Sequence, residues 1–365
     1  MRHVLLGNTG LRVSEIALGT MTFGTEWGFG TGRDGARAIF DCYASAGGNF
    51  IDTSVNYTDG TSERLLGEFL GADRERFVVA TKYGITIDRS QPNAGGTHRK
   101  SLRHAVTTSL SRLGTDYLDV LYVHFWDYHT PLEETMRALD DLVRSGLVLY
   151  LGISDSPAWV VARAQTYALE RGLTPFAVVQ APYSLLERTP ERELLPAVDA
   201  LGLTLAAWSV LGRGVLTGKY NLTGKGNLTG KDNGAGADGP GGDAAASVRL
   251  SGDQAPGKRD LAIAEVTTEV ARAAGATPAQ VATAWAMRLG YVVPVLGARS
   301  AGQLAEGLAS ADLVLSADAL AQLDAVSDPG DGYPTAMLRD ARPFFLGTVL
   351  DTTRDARRGG VLPGT

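Results

Sequence analysis

Residues 47–82 read GGNFIDTSVNYTDGTSERLLGEFLGADRERFVVATK, and they contain the pattern from which we predict the fold. Residues 50–52 and 77–81 are short apolar runs that predict buried strands. Between them, Thr61-Ser62-Glu63 is typical of a helix start with a hydroxyl residue near the cap. A strand, a helix and a second strand in this order predict a parallel βαβ unit.

The same alternation continues along the chain. We predict further strands near residues 16–18, 118–124, 148–154, 176–180, 204–208 and 292–295, with helical patterns between them. Eight strands alternating with helices, without a dinucleotide-binding fingerprint after the first, favour a closed α/β barrel of the (β/α)8 or TIM type. We expect one barrel catalytic domain over residues 1–330, beginning with a β-hairpin that turns at Asn8-Thr9-Gly10.

Two segments depart from this alternation. Residues 221–260 are rich in Gly, Asp and Ala, contain a tandem NLTGK and have few large apolar side chains. They predict a long flexible Gly-rich loop after strand seven, and composition leaves open whether it is a lid or an insertion without a role. Residues 331–365 predict an irregular C-terminal tail.

Composition excludes several classes of protein. The chain has 365 residues, 34 Lys and Arg, 40 Asp and Glu, and a net charge of −6, which argues against an electrostatic nucleic-acid binder. Cys42 is the single cysteine, so an internal disulfide is excluded and a reducing compartment is expected. The first 20 residues lack a signal-peptide core and no stretch reaches membrane-spanning length, so we expect a cytoplasmic protein without a membrane partner.

Titratable residues follow neighbouring predicted strands. Asp52, Lys82 and His124 each come at or after an apolar run, as does the Ser154-Asp155 pair. In a (β/α)8 barrel the carboxyl ends of the strands meet at one face, so these groups should converge there. Taken singly, Asp52 could cap a turn, Lys82 could be solvated and His124 could be a core histidine. Their convergence favours a catalytic site.

Tyr57, five residues beyond Asp52, is the candidate proton donor. An isolated tyrosine ionises near pH ~10. We expect the Lys82 ammonium to lower the pKa of Tyr57, and the Asp52 carboxylate to keep the ammonium charged. We expect His124 to donate a second hydrogen bond to a substrate carbonyl oxygen.

At this point the sequence resembles the aldo-keto reductase family, whose signature blocks occur in the family's order as far as about residue 310. The matching blocks are LGNTGLRVSEIALGTMTFG (6–24), GGNFIDTSVNYTDGTSERLLGEFL (47–70), VVATKYG (78–84), SLSRLGTDYLDVLYVHFWD (109–127), GISD (152–155), VVQAPYSLLER (178–188), WSVLGRGVLTGKY (208–220) and VPVLGARSAGQLAEGL (293–308). The resemblance implies NADPH-dependent reduction of an aldehyde or ketone, reversible as oxidation of the alcohol, with Tyr57 as general acid.

The resemblance also implies where NADPH would bind. Arg299 is the candidate for the 2′-phosphate, because a guanidinium can bind phosphate in bidentate fashion. Packing could equally explain Trp208, and solvent exposure could explain Lys219 and Arg299. The implied cofactor-binding residues are Gly19, Thr20, Met21, Asp52, Ser154, Asp155, Gln180, Trp208, Ser209, Leu211, Gly212, Arg213, Gly214, Lys219, Gly297, Arg299, Gln303 and Glu306.

Two positions depart from the family's pattern. Asp155 stands where the family usually has Asn, and a carboxylate only accepts hydrogen bonds, whereas an amide also donates them. Gly307 stands where the family has an Asn that contacts adenine. On the substrate side we expect an aromatic mouth formed, beside Met21, by Trp27, Tyr83, Phe125 and Trp126.

Other functions remain open at this stage. We expect no metal site, because the five histidines are scattered and there is no HExxH motif or cysteine pair. The barrel could instead be a Schiff-base lyase with Lys82 as nucleophile, or a cofactor-sensing regulatory subunit with vestigial reductase activity. The natural small-molecule carbonyl and the choice between monomer and homo-oligomer stay undecided.

Overall fold

The computed structural model describes residues 1–86, 88–220, 255–341 and 344. The strands are β1 His3–Leu5, β2 Arg12–Ser14, β3 Ala17–Gly19, β4 Phe50–Asp52, β5 Val78–Tyr83, β6 Leu118–Val123, β7 Val148–Ser154, β8 Phe176–Pro182, β9 Thr204–Trp208 and β10 Val292–Leu296. The α-helices are α1 Arg33–Ser45, α2 Thr61–Leu70, α3 Arg99–Leu113, α4 Leu132–Arg144, α5 Ala158–Arg171, α6 Leu194–Ala200, α7 Lys258–Ala274, α8 Pro278–Met287, α9 Ala301–Leu308, α10 Ala317–Ser327 and α11 Thr335–Asp340. Short 3-10 helices span Tyr57–Gly60, Gly71–Arg76, Thr189–Arg192, Gly212–Thr217 and Ala309–Asp312.

The strands β3 to β10 form a closed parallel barrel in which β10 pairs with both β3 and β9. A helix follows each barrel strand, from α1 after β3 to α9 after β10. The predicted (β/α)8 barrel is therefore confirmed. Because all eight strands are parallel, the residues at their carboxyl ends lie on one face.

The N-terminal hairpin is also confirmed, with β1 and β2 pairing antiparallel. Leu6 and Val13 pack into the barrel interior together with Phe50, so the hairpin closes one end of the barrel. Gly7 has a φ of 55°, and a Cβ there would lie 2.2 Å from the carbonyl oxygen of Ala177. Only glycine lets the hairpin backbone approach β8 this closely.

Two layers of apolar side chains build the core. The interior layer includes Phe50, Val120 and Val178, and the larger layer lies between the barrel and the helices. Leu139 of α4 belongs to the outer layer. Each fully buried large apolar side chain contributes about 1.5–3 kcal/mol of transfer free energy, so these layers hold the strand ends in place.

Two predicted boundaries are wrong where the structure describes them. Residues 258–260 were predicted as loop but begin α7, whose first turn is capped by Asp260 accepting a hydrogen bond from Gly257 N at 3.0 Å. The remainder of that prediction, residues 221–254, lies outside the described residues. In the predicted irregular tail, Thr335–Asp340 forms α11, while residues 342–343 and 345–365 are also outside the described part. Within the described ranges, no helix combines the length and apolar character needed to cross a membrane.

Candidate active site

Three neighbouring strands bring the predicted catalytic side chains together. Asp52 is the last residue of β4, Lys82 lies near the end of β5 and His124 directly follows β6. The strands are adjacent, with β4 pairing to β5 and β5 to β6. Tyr57 reaches the same place from the short helix Tyr57–Gly60 that follows β4.

The Lys82 ammonium makes three hydrogen bonds in the barrel interior. It donates to Asp52 Oδ2 at 2.6 Å, to the Thr53 carbonyl oxygen at 2.8 Å and to the Tyr57 hydroxyl oxygen at 3.0 Å. Its three N–H donors are therefore all used. The other oxygen of Asp52 accepts from Gln180 Nε2 at 2.9 Å. This buried ion pair is fully hydrogen-bonded, which is the condition for a charge to be stable away from water.

Burial, rather than charge, determines the direction of the pKa shift of Tyr57. Burial of the phenol away from water raises the pKa of Tyr57. The Lys82 ammonium lowers this pKa, but by less than burial raises it. The expectation of a lowered pKa was therefore wrong. Burial acts in the opposite sense on Lys82, but Asp52 and Tyr57 together raise the pKa of that ammonium above its usual value. The site thus holds a protonated phenol beside a charged lysine at neutral pH.

The backbone that carries Tyr57 has an unusual conformation. Thr58 and Asp59 have φ values of 45° and 53°, which cost about 1–2 kcal/mol each for residues with a Cβ. The Thr58 hydroxyl compensates by donating to the Phe23 carbonyl oxygen at 2.6 Å and accepting from Ser62 N at 3.1 Å. The turn is therefore held by specific bonds.

Arg112 of α3 holds this turn from the outside. It donates to the Val55 carbonyl oxygen at 2.6 Å and to the fully buried Glu63 carboxylate at 3.1 Å. Gly60 has a φ of 87°, and a Cβ there would lie 2.3 Å from the Arg112 guanidinium carbon. Glycine at this position therefore leaves room for the arginine.

His124 is nearly buried and is neutral near pH 7. Burial and the Lys82 ammonium hold the pKa of His124 well below its usual value. Its Nδ1 lies 3.2 Å from Ser54 Oγ, and the Ser54 hydroxyl donates to Asn56 Oδ1 at 2.6 Å. Ser54 and Asn56 were not among the predicted site residues, although both lie between the predicted Asp52 and Tyr57.

Aromatic rings flank Tyr57 and His124. Phe125, 46% exposed, stacks on His124 with ring centroids 4.8 Å apart, and Trp27 meets Tyr57 edge-on at 6.1 Å. Trp126 is half-buried against the core. The prediction that Tyr83 lines the mouth was wrong, because Tyr83 is fully buried in the layer between barrel and helices. Side chains alternate along a strand, so the neighbour of an inward-facing Lys82 must face the helices.

The predicted nicotinamide side of the site lies at the ends of β7, β8 and β9. Trp208 Nε1 donates to Asp155 Oδ1 at 3.0 Å, and burial raises the pKa of that carboxyl group. The buried Ser154 Oγ has no hydrogen-bond partner among the described residues, so it can bind an added polar group. Gln180 already directs its amide N–H to Asp52.

The predicted phosphate side lies on the loops after β9 and β10, which are neighbouring strands. A Cβ at Gly214 would lie 3.1 Å from Lys219 Nζ, which places that ammonium against the turn Gly212–Thr217. Arg299 is half-buried just before α9, and its backbone N–H donates to Gln303 Oε1 at 3.0 Å. Two cationic side chains on adjacent loops suit a phosphorylated ligand.

The remaining predicted cofactor residues differ in exposure. Thr20 is fully buried, and its hydroxyl donates to the Asp52 carbonyl oxygen at 3.0 Å, so its side chain has a structural role. Met21 and Leu211 are half-buried, while Glu306 is exposed. Gly19 and Gly297 lie side by side at the ends of β3 and β10. Left-handed φ values occur at Ser209, Gly212, Arg213 and Gly214.

A metal centre has no support in the described ranges, where no three His, Cys, Asp or Glu side chains are grouped to hold an ion. Tyr57, Lys82 and His124 form a group of acid–base side chains at this face, and the neighbouring loops carry two cationic side chains.

Comparison with known proteins gives consistent matches. Residues 15–328 match the model of the Aldo/keto reductase family. The chain is similar to norsolorinic acid reductase of Aspergillus flavus, with 36% identity over 92% of this chain and 83% of that protein. It is 38% identical to norsolorinic acid reductase stcV of Emericella nidulans, over 92% of this chain and 84% of that protein. It is 34% identical to the aryl-alcohol dehydrogenase [NADP(+)] of Phanerodontia chrysosporium, over 92% of this chain and 88% of that protein.

Proposed function

The chain belongs to the Aldo/keto reductase family, and on that premise we propose that it reduces an aromatic aldehyde or ketone with NADPH, and oxidises the alcohol in reverse. The observation that carries the proposal is the contact of Lys82 Nζ with both Asp52 Oδ2 and the Tyr57 hydroxyl oxygen. That contact couples a buried, charged lysine to a phenol at the open end of a barrel. The family and the NADP(+)-dependent relative support the choice of cofactor.

Tyr57 is the proposed general acid. Because Lys82 donates to the phenolic oxygen, the phenol proton is free to pass to a carbonyl oxygen. The same ammonium stabilises the phenolate that remains, and Asp52 keeps the ammonium in place. A positioned general acid of this kind accelerates a reaction by about 10²–10⁴-fold.

When bound, NADPH supplies the hydride that adds to the carbonyl carbon. Ser154 Oγ and Asp155 are proposed to hold its carboxamide end, because they present an unpartnered hydroxyl and a carboxylate next to each other at the end of β7. Lys219 and Arg299 are proposed to bind its phosphates. NADPH rather than NADH is proposed because Arg299 can bind a 2′-phosphate in bidentate fashion.

An aromatic substrate is proposed from the surroundings of Tyr57 and His124. The rings of Trp27 and Phe125 flank these residues and would pack against a planar substrate. The similarity to an aryl-alcohol dehydrogenase supports this choice. We further propose that residues 1–330 act as one catalytic domain, in the cytoplasm, where a lone Cys42 stays reduced.

The Schiff-base alternative is disfavoured by the environment of Lys82. A lysine nucleophile must lose its proton, but the pKa of Lys82 is raised by Asp52 and Tyr57 against the opposing effect of burial. All three of its N–H donors are also engaged. A lysine in this state acts as a fixed cation.

The test is NADPH oxidation in the presence of benzaldehyde and larger aryl aldehydes and ketones, with wild type and Tyr57→Phe. We expect turnover by wild type and a loss of about 10²–10⁴-fold in kcat for Tyr57→Phe. Titration of each protein with NADPH, followed by intrinsic fluorescence, should give similar Kd values. Full activity of Tyr57→Phe would refute the assignment of the acid. Tight NADPH binding by wild type without turnover of any carbonyl would favour the regulatory-subunit alternative.

A further inference from the structure

We propose that Asp127 is a positioning residue that joins the loops after β5 and β6 at the mouth of the barrel, and that this junction determines the affinity for an aromatic substrate. The first loop lies between β5 and α3 and contains Thr97, and the second lies between β6 and α4 and contains Asp127 itself. The inference rests on the proposed function for the identity of the substrate. The junction depends only on contacts within the chain.

The Asp127 carboxylate accepts hydrogen bonds from both loops. Its Oδ2 accepts from Thr97 N at 2.7 Å and from the Thr97 hydroxyl at 3.0 Å, although the two residues are 30 positions apart in the chain. Within its own loop, Oδ1 accepts from His129 N at 2.9 Å and from Thr130 N at 2.8 Å, and Oδ2 accepts from the Thr130 hydroxyl at 2.7 Å. Hydrogen bonds to a carboxylate are stronger than those between neutral groups. One side chain therefore closes its own turn and ties that turn to the neighbouring loop.

Thr97 connects the junction to the body of the barrel. It is fully buried, and its carbonyl oxygen accepts from the Tyr83 hydroxyl of β5 at 3.3 Å. The Thr135 hydroxyl of α4 lies 3.4 Å from Thr97 Oγ1. Burial raises the pKa of Asp127, but hydrogen bonds from the backbone of Thr130 and Thr97 lower it by more, so the carboxylate is charged at neutral pH. The buried Tyr83 thus contributes to the mouth indirectly, by supporting the residue to which Asp127 is bonded.

The junction holds Phe125 and leaves His124 to the strand. His124 N donates to the Tyr83 carbonyl oxygen at 2.9 Å, so β5 fixes the backbone of His124. Phe125 lies beyond this bond, is exposed, and stacks on the His124 ring with centroids 4.8 Å apart. Tyr128, directly after Asp127, has a φ of 58°, which is unfavourable for a residue with a Cβ. Without the carboxylate, we expect this loop to relax at Tyr128 and the Phe125 ring to leave its place, while the catalytic groups stay.

Loss of the junction should therefore act on substrate binding and not on the chemical step. The test compares naphthaldehyde, whose rings can pack on Phe125, with propanal, which has no ring, at saturating NADPH. Asp127→Asn presents an amide N–H to donors that need an acceptor. We expect its KM for naphthaldehyde to rise about tenfold, as for the loss of a ring contact of ~1.4 kcal/mol, with kcat and the KM for propanal unchanged. An unchanged KM for naphthaldehyde, or an equal rise for both aldehydes, would overturn the role in affinity.

Asp140→Asn is the matched control. Asp140 is buried and accepts from Thr174 N and from the Thr174 hydroxyl, each at 2.8 Å, which are the same kinds of donor that Thr97 offers to Asp127. It joins α4 to the segment before β8, at the end of the barrel opposite the mouth. We expect Asp140→Asn to lower the melting temperature as Asp127→Asn does, and to leave both KM values unchanged. The same rise in KM for naphthaldehyde in both variants would show that general loosening is the cause, and would overturn the inference.

Thr97→Val and Thr97→Ser form a second pair, which tests the junction even if Asp127→Asn does not fold. Valine removes the hydroxyl that bonds to Asp127 but keeps the backbone N–H, so the KM for naphthaldehyde should rise by a smaller factor than in Asp127→Asn. Serine keeps the hydroxyl, so its KM should equal that of wild type. Equal KM values for the valine and serine variants would contradict a contribution of this bond to the mouth.

Amide hydrogen exchange, followed by mass spectrometry of the full-length protein, tests the junction without catalysis. We expect the amides of Thr97, His129 and Thr130 to be protected in wild type, and peptides from both loops to exchange faster in Asp127→Asn. Faster exchange in the loop after β6 alone would refute the junction between the loops. If wild type reduces no carbonyl but exchange changes in both loops, the proposed function fails and the junction stands. If wild type is active but exchange in the loop after β5 does not change, the junction alone is refuted.

Discussion

Lys82 Nζ lies 2.6 Å from Asp52 Oδ2, and both side chains are buried at the carboxyl end of neighbouring strands. The pair is stable because each charge compensates the other and because Thr53, Tyr57 and Gln180 satisfy the remaining polar atoms. A buried charge that loses its partner is costly, and this makes the pair measurable.

Lys82→Met should lower the free energy of unfolding by about 3–5 kcal/mol, because it leaves the Asp52 carboxylate buried without its cation. The double variant Lys82→Met with Asp52→Leu should recover part of this loss, since no charge then remains. Urea denaturation of both proteins checks the prediction. If Asp52→Leu lowers the free energy of unfolding of Lys82→Met further instead of raising it, the two charges are not coupled.

Arg112→Met should also destabilise the protein by about 3–5 kcal/mol, because Glu63 is fully buried and would lose the cation with which it is paired. Arg99→Met is the matched control on the same helix. Its partner Asp141 is 61% exposed, and such a surface pair contributes only about 0–1 kcal/mol. The two variants are compared by thermal and urea unfolding. Equal losses would contradict the importance of burial.

Arg112→Met should also lower kcat, because the Val55 carbonyl oxygen loses its donor and the turn that carries Tyr57 loosens. NADPH affinity should change little.

The pH dependence of carbonyl reduction should be flat through neutrality. Burial raises the pKa of Tyr57 although Lys82 opposes it. The phenol therefore stays protonated up to a pH above ~10, the ordinary pKa of tyrosine. The pKa of His124 is lowered, so that group stays neutral as the pH falls through its usual range. Single-turnover rates measured from about pH 6 to pH 10 test this. A fall in rate centred between pH ~7 and ~8 would contradict the raised pKa of Tyr57.

Asp155→Asn should weaken binding of NADP+ relative to NADPH by about tenfold, or ~1.4 kcal/mol. The reason is electrostatic: a carboxylate held by Trp208 at the proposed nicotinamide end attracts the positively charged oxidised ring and not the neutral reduced one. Fluorescence titrations at about pH 8, well above the ordinary pKa of a carboxyl group, give both Kd values. Asp141→Asn, an exposed carboxylate on α4, is the control. An unchanged ratio would place the carboxylate away from the ring.

Periodicity in the sequence was sufficient to predict the barrel. The apolar run at residues 118–124 became β6, and the helical pattern at residues 99–113 became α3. Both are local patterns, which hydrophobic periodicity can reveal. The same periodicity placed Asp52, Lys82 and His124 at strand ends, since the carboxyl ends of parallel strands share a face. The segment at 258–260 was misassigned because a Gly-rich stretch concealed a helix cap made by Asp260.

Tertiary structure decided what those side chains do. The orientation of β5 in the closed barrel decides whether Tyr83 faces the mouth or the helices. The balance between burial and the Lys82 ammonium decides whether the pKa of Tyr57 rises or falls. Both depend on distances between groups that are remote along the chain. The sequence by itself therefore determined the barrel and which residues converge, because these follow from local periodicity. The hydrogen-bond partners, charge states and accessible faces were decided only by the tertiary structure, because desolvation and Coulomb energies depend on the full three-dimensional surroundings.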